Sequence, residues 1–174
     1  MTREIAPVIN VADVKLAPNP IAKPGSGFEA MMGAIAAPLG ATKLGCRLTV
    51  VPPGNKAWPH HVHHANDEMF VILAGEGTLR YGKERYALRP GDVVVCPSGG
   101  AENAHQIINT SGAELRYLAI STMIEPEVAE YPDSGKFGVL SVTTPDAEKS
   151  NRSKRRLIYV GRLASNVDYY DGEC

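Results

Sequence analysis

The sequence lacks the features that mark several large classes of protein. Its net charge is only −1, whereas proteins that bind nucleic acid through phosphate contacts are usually basic. No apolar run approaches the roughly 18 residues of a transmembrane helix. The first ten residues, MTREIAPVIN, lack the basic-then-apolar pattern of a secretory signal. We therefore expect a cytoplasmic protein that binds neither nucleic acid nor a membrane.

Cysteine is scarce and unpaired in its spacing. The three cysteines, Cys46, Cys96 and Cys174, are odd in number and show no CxxC motif. This usage fits a reduced compartment. Cys46 and Cys96 stand in apolar stretches, so we predict that they are buried as small hydrophobic residues and do not act as nucleophiles.

Turn-forming residues are abundant, with 17 Gly and 13 Pro among 174 residues. They separate short apolar runs that begin roughly every 8 to 12 residues, which is typical of a sandwich or barrel of strands. The sequence therefore predicts an all-β protein. The predicted strands cover 44–51, 68–73, 78–81, 86–88, 93–96, 105–108, 114–121, 137–142 and 157–160.

The length fits one domain with three parts. Residues 1–43 are predicted to form an N-terminal arm and outer strands, 44–122 a barrel core, and 123–174 C-terminal strands and a tail. Residues 28–37 fit a strand or a helix equally well. Residues 125–136 are polar and predict turns, and the basic segment 149–156 is interpreted as a solvated loop.

Four of the five histidines stand together at positions 60, 61, 63 and 64. In a strand, alternate side chains share a face, so His61 and His63 would point the same way, about 6.6 Å apart. In a helix, His60, His64 and Glu68 would share a stripe instead. The short strands on either side favour the strand, in which His60 and His64 face outward.

The spacing of these residues resembles the two motifs of the cupin superfamily. The first motif stands as Gly54, six residues, His61-Val62-His63, four residues, Glu68, six residues and Gly75. The second stands as Gly91, five residues, Pro97-Ser98-Gly99, five residues, His105, three residues and Asn109. One extra residue before His61 and three before His105 lengthen loops and leave each ligand position filled.

This resemblance implies a double-stranded β-helix, the jelly-roll barrel of cupins, with extended N- and C-terminal segments. It also implies one divalent metal ion (Fe, Mn, Ni, Co or Zn) held by His61, His63, Glu68 and His105. Three imidazoles and one carboxylate suit these borderline metals. A small-molecule ligand or substrate is expected beside the ion. We interpret the chain as a metalloenzyme, with oxygenase-type chemistry favoured and decarboxylase, isomerase or lyase chemistry open, or else as a non-catalytic module that binds a metabolite or sugar.

Other side chains are assigned by strand alternation. Glu68 and Tyr117 are the catalytic candidates, although Tyr117 is equally typical of a core residue. Trp58 and Met69 are expected at the rim or in the packing. The extended arm at residues 5–14 is predicted to join a second chain in a homodimer, because an uncovered sheet edge accepts another strand. The expected pocket lining is Phe70, Ile72, Ile107 and Asn109, and Asn66 and Gln106 are expected to hold the ligating histidines.

Overall fold

The computed structural model describes residues 6–143 and 155–173, and these residues form only strands, short 3-10 turns and loops. This confirms the all-β prediction. No helix in these two ranges has the length and apolar character that crossing a membrane would require. The strands are β1 (Ala17–Pro18), β2 (Met31–Ala34), β3 (Leu44–Val51), β4 (Val62–His63), β5 (Glu68–Ala74), β6 (Gly77–Tyr81), β7 (Glu84–Leu88), β8 (Val93–Cys96), β9 (His105–Ile108), β10 (Leu115–Thr122), β11 (Glu127–Tyr131), β12 (Lys136–Thr143) and β13 (Arg155–Gly161).

The strands form three antiparallel sheets. Six strands pair in the order β1-β2-β3-β10-β5-β8, three in the order β7-β6-β9, and four in the order β13-β12-β11-β4. The main core lies between the first two sheets, because its buried side chains come from both. They include Val51, Phe70, Ile72, Leu115 and Tyr117 of the six-stranded sheet, and Leu79, Leu88 and Ile107 of the three-stranded sheet.

The turn between β5 and β6 brings two backbones into close contact. Gly75 has φ +78°, a conformation that costs other residues free energy, and a Cβ atom there would lie 2.1 Å from the carbonyl oxygen of Glu114. Glycine is required here for both reasons. This contact lets β5 end against the start of β10, its neighbour in the sheet.

The N-terminal arm packs on its own chain in the described residues. Residues Val11–Asp13 form one 3-10 turn, with Asn10 accepting a hydrogen bond from the Ala12 amide. Val14 is buried with Leu48 and Val50, away from the main core. Residues 6–14 contain no strand, so the extended arm is present without β-structure of its own.

One stretch that the sequence left undecided is now assigned, and another differs from its sequence interpretation. The undecided residues 28–37 contain β2, and the polar stretch 125–136 contains β11 before the expected turn. Of the basic segment 149–156, residues 149–154 lie outside the described residues. Cys96 is fully buried, as expected, whereas Cys46 is half-buried.

Candidate metal centre

Backbone pairing brings His61 beside His105, although they are far apart in sequence. The two residues form an isolated antiparallel bridge, in which each amide donates to the other carbonyl, at 3.1 and 2.8 Å. The next residue, Val62, is fully buried on the opposite face, so His61 and His63 share one face as the strand interpretation predicted. Ala129 of β11 pairs with His63 and fixes the other side of this short segment.

One carboxylate oxygen lies at the centre of the three imidazoles. Glu68 Oε2 is 2.9 Å from the Nε2 atom of His105, 3.4 Å from that of His63 and 3.7 Å from that of His61. Two atoms that ligate one ion at about 2.1 Å lie no more than about 4.2 Å apart. Each imidazole thus satisfies this limit with Glu68. The ligand atoms of His61, Glu68 and His105 all lie within 4.8 Å of one another, whereas His63 lies outside this group of three and joins the site through its contact with Glu68.

Hydrogen bonds on the far side of two rings set their orientation. His61 Nδ1 donates to the Pro59 carbonyl at 2.8 Å, and His105 Nδ1 faces the Asn103 carbonyl at 3.2 Å. With the proton on Nδ1, each Nε2 presents its lone pair to the cluster, which is how metal-binding histidines are usually held. Both ring nitrogens of His63 are buried and form no hydrogen bond among the described residues, although Nε2 faces Glu68 at 3.4 Å and Nδ1 faces Glu127 at 3.5 Å. A cation at the centre of the cluster would accept the Nε2 lone pairs of the three rings. The donor set therefore fits a divalent metal.

The pKa shifts of Glu68 and His61 suit a cation, whereas Glu68 and Glu127 raise the pKa of His63 against the effect of its burial. Burial alone would raise the pKa of Glu68, but the imidazole rings of His105, His61 and His63 that surround its carboxylate hold it well below its usual range. Burial lowers the pKa of His61. Near neutral pH the site therefore offers a carboxylate and at least one neutral imidazole, which are the forms that bind metals.

A second carboxylate, Glu127, lies behind His63. Its Oε2 is 3.5 Å from His63 Nδ1 and accepts a hydrogen bond from the Asn66 side chain. Its Oε1 accepts from the backbone amides of His64 and Ala65, at 3.1 and 3.3 Å. Glu127 thus orients His63 and holds the histidine segment against β11. No sequence pattern indicated Glu127, because it belongs to neither motif and turns were predicted for its stretch of the chain.

His60 corrects one expectation. It was predicted to face outward, but it is only 3% exposed. It does point away from the cluster, yet Asp133 in the β11–β12 turn covers it, with Oδ1 3.5 Å from His60 Nδ1. Arg80 holds Asp133 there through two hydrogen bonds of 2.7 and 2.8 Å. His64 is exposed, as expected, and contacts Glu130 at 2.8 Å.

The second catalytic candidate, Tyr117, points inward but lies deep in the core. It is 1% exposed, and its ring packs edge-on against Phe70, which in turn contacts His105. Burial, with the nearby charge of Glu68, raises the pKa of its phenol far above the usual range. Tyr117 is therefore separated from the histidine cluster by the Phe70 ring.

The remaining predicted site residues either pack in the core or form hydrogen bonds that hold neighbouring segments. Phe70, Ile72, Ile107 and Asn109 are buried and face inward, and Asn109 donates to the backbone carbonyls of Val51, at the end of β3, and Ala113. Asn66 supports Glu127, as described above. Gln106 donates to the carbonyl of Trp58, at 2.8 Å. Trp58 lines a cavity over the histidine cluster. Met69 is 38% exposed, on the face of β5 opposite to Glu68 and Phe70.

A cavity of about 330 Å³ opens over the cluster. His61, His63 and Glu68 line its base, and this volume is in the range of small-ligand pockets. Tyr131 forms one wall, with its ring nearly parallel to that of His61 at a centroid distance of 6.3 Å. Two cationic side chains that sequence analysis did not assign, Arg47 and Lys136, also line it.

Comparison with known proteins agrees with this architecture. Residues 47–121 match the model of the Cupin domain family. A crystal structure of a cupin-superfamily sugar phosphate isomerase from Silicibacter pomeroyi superposes with a TM-score of 0.73 at 20% identity, over 95% of this chain and 98% of that one. A polyketide cyclase from Streptomyces resistomycificus superposes with a TM-score of 0.55 at 21% identity, over 69% of this chain and 82% of that one.

A curated relative gives a closer match over a shorter length. The oxalate-binding protein of Thermotoga maritima is 31% identical over 74 residues, which cover 42% of this chain and 58% of the relative. The chain thus spans a little more than half the length of the curated relatives that it matches. With the fold described above, these matches show that the chain has the double-stranded β-helix fold of cupin proteins, and that residues 47–121 resemble the Cupin domain family.

Proposed function

We propose that this protein is a metalloenzyme that binds one divalent metal ion through His61, His63, Glu68 and His105 and acts on a small organic molecule. The observation that carries the proposal is the placement of three imidazole Nε2 atoms within 3.7 Å of one carboxylate oxygen, at the base of an open cavity. A carboxylate and three imidazoles would be costly to bury together without a cation.

The mixed nitrogen and oxygen donors support Fe, Mn, Ni, Co or Zn as the ion. When bound, such an ion supplies Lewis-acid chemistry or activates oxygen or water. The protein contributes the rest: Glu68 supplies negative charge, Glu127 orients His63, and the Trp58 and Tyr131 rings wall off the cavity. Tyr117 stays a predicted catalytic residue, although its buried hydroxyl offers no direct route to the cavity.

Oxygenase-type chemistry is the reaction that we favour, since four protein ligands leave positions open for a substrate and O₂. Decarboxylase, isomerase and lyase reactions use the same kind of centre. The names of the similar proteins include an isomerase and a cyclase, so the fold alone does not select the reaction. A cytoplasmic location and a homodimer remain predictions.

A non-catalytic binding module is the second candidate. It is favoured by the name of the relative from Thermotoga maritima, which describes binding. In this case the cavity would hold a small metabolite without converting it.

Metal analysis combined with oxygen uptake separates the two candidates. Protein purified without added metal should contain one ion per chain, and iron together with O₂ consumption supports the enzyme. The double variant His61→Ala/His63→Ala should lose the metal, whereas His64→Ala, in the same segment but exposed, should keep it. A double variant that loses metal but keeps full ligand binding would contradict the enzyme and support a binding module. Unchanged metal content would contradict the proposed site.

A further inference from the structure

Arg47 is a cation on the inward face of the six-stranded sheet. On β3 it pairs with Ala34 of β2 and Ala119 of β10, so its side chain emerges between two small neighbours. Its guanidinium lies over the Trp58 ring, 5.4 Å from the ring centroid. Within the described part of the chain, Arg47 forms no ion pair. A held but unpaired guanidinium that faces a cavity is available to an anion.

Arg47 and Glu68 border two cavities at once. One is the cavity over the histidine cluster, and the other, of about 390 Å³, lies between β2, β3 and the end of β10. The second cavity is lined mostly by small or apolar side chains, among them Met32, Ala34 and Met123. A ligand that contacts Arg47 therefore has a polar centre on one side and an apolar space on the other.

The charges around the first cavity favour an anion. A divalent ion with Glu68 leaves one positive charge, and Arg47 and Lys136 each add another. The ammonium group of Lys136 lies over the Tyr131 ring, 5.7 Å from its centroid. Glu127 offsets one charge, but its oxygens already accept three hydrogen bonds from the chain. A neutral ligand would leave this positive charge uncompensated in a partly buried cavity.

We propose that the ligand is a small carboxylic acid with an apolar chain, whose carboxylate pairs with Arg47 and whose chain occupies the second cavity. This inference rests on the proposed function, since the metal centre supplies part of the positive charge. The planar fork of Arg47 matches a carboxylate, and an apolar lining suits a hydrocarbon chain better than the hydroxyl groups of a sugar phosphate.

Calorimetric titration of the full-length protein loaded with Co²⁺ tests this assignment. The probes are 2-oxooctanoate, the neutral 2-octanone, pyruvate and fructose 6-phosphate. We expect 2-oxooctanoate to bind most tightly. Arg47→Gln should weaken its binding about 10- to 100-fold, as the loss of a charge-assisted hydrogen bond does. Arg85→Gln, an exposed arginine on β7, should leave binding unchanged.

A second variant tests the apolar cavity without altering the charge. Ala34→Leu places a larger side chain beside Arg47 and should weaken binding of 2-oxooctanoate but not of pyruvate. Circular dichroism and Co²⁺ content should match the wild type in both variants, so a folding defect would be detected. Ala34→Leu keeps the inference testable even if Arg47→Gln does not fold.

The outcomes separate this inference from the proposed function. If the wild type binds no Co²⁺, both are wrong. If Co²⁺ binds but Arg47→Gln retains full affinity for 2-oxooctanoate, or 2-octanone binds equally well, the carboxylate assignment is wrong while the metal centre stands. Tighter binding of fructose 6-phosphate would likewise overturn it in favour of a phosphate ester.

Discussion

Glu127 links the metal-binding residues to the rest of the molecule. One of its oxygens faces His63 and Asn66, and the other accepts from the two backbone amides that follow His63 in the chain. The four groups around Glu127 are the backbone amides of His64 and Ala65, the side-chain amide of Asn66 and the ring of His63. A carboxylate suits this environment because both of its oxygens are hydrogen-bond acceptors. A carboxylate behind a ligating histidine fixes the ring and increases its basicity.

We predict that Glu127→Gln lowers metal affinity about 10- to 100-fold, because the new amide group must face a donor on one side or the other. The same change should lower the free energy of unfolding by about 1–3 kcal/mol, the cost of leaving buried donors unsatisfied. Metal titration and denaturant unfolding measure the two effects. Glu130→Gln is the matched control, since the Glu130 side chain is 44% exposed and its carboxylate contacts only His64 among the described residues. Equal metal affinities for the two variants would contradict a role for Glu127.

The four predicted ligands lie together because both motifs are local patterns whose spacing survives in the sequence. The prediction that His60 faces outward was wrong for a physical reason. Strand alternation gives the direction of a side chain, but it does not show which other residues cover that side chain. The cover, Asp133, comes from a turn more than seventy residues later and is held by Arg80. Arg47 and Glu127 were missed for the same reason, since their roles depend on pairing between distant strands.

At the level of elements, the strands with buried alternate residues were predictable. The limits of β3, β8 and β9 agree with the sequence prediction, because apolar runs end there at Pro, Gly or Asn. β11 was missed because two of its five residues are glutamates and four of the five are half-buried, so it shows no apolar alternation. Its stability comes from pairing with β4 and β12 and from Glu127, which no local pattern indicates.

Two glycines in turns give a paired test of the close contact at the end of β5. Gly54 and Gly75 have similar φ angles, +73° and +78°, but a Cβ atom would meet nothing within 4 Å at Gly54. We predict that Gly54→Ala lowers the free energy of unfolding by about 1–2 kcal/mol, the cost of the left-handed conformation. Gly75→Ala should cost at least about 2 kcal/mol more, because the backbone of Glu114 cannot move without disturbing β10. Equal losses in denaturant unfolding would show that the contact carries no strain.

The whole molecule leaves apolar surface uncovered. On the outer face of the six-stranded sheet, Val93, Val95 and Met69 are 59%, 54% and 38% exposed, and β8 is the edge strand. Such a face and edge favour association. The N-terminal arm packs on its own chain in the described residues, so this sheet face now carries the dimer prediction.

We therefore predict a mass of twice the 18.6 kDa chain in light scattering. The double variant Val93→Lys/Val95→Lys should shift the protein to a monomer, because lysine on an edge strand opposes pairing. Val8→Lys, at a residue of the N-terminal arm that is 77% exposed and not part of the β8 edge, should not. A wild-type protein at the mass of one chain would contradict the prediction.

The central claim is that three imidazoles and Glu68 converge on one ion. X-ray absorption at the edge of the metal that the protein retains counts the ligands directly. We predict three imidazole nitrogens at about 2.0–2.1 Å and a carboxylate oxygen at a similar distance in every chain. A spectrum with fewer than three imidazoles, or protein that retains no metal after supplementation, would contradict it.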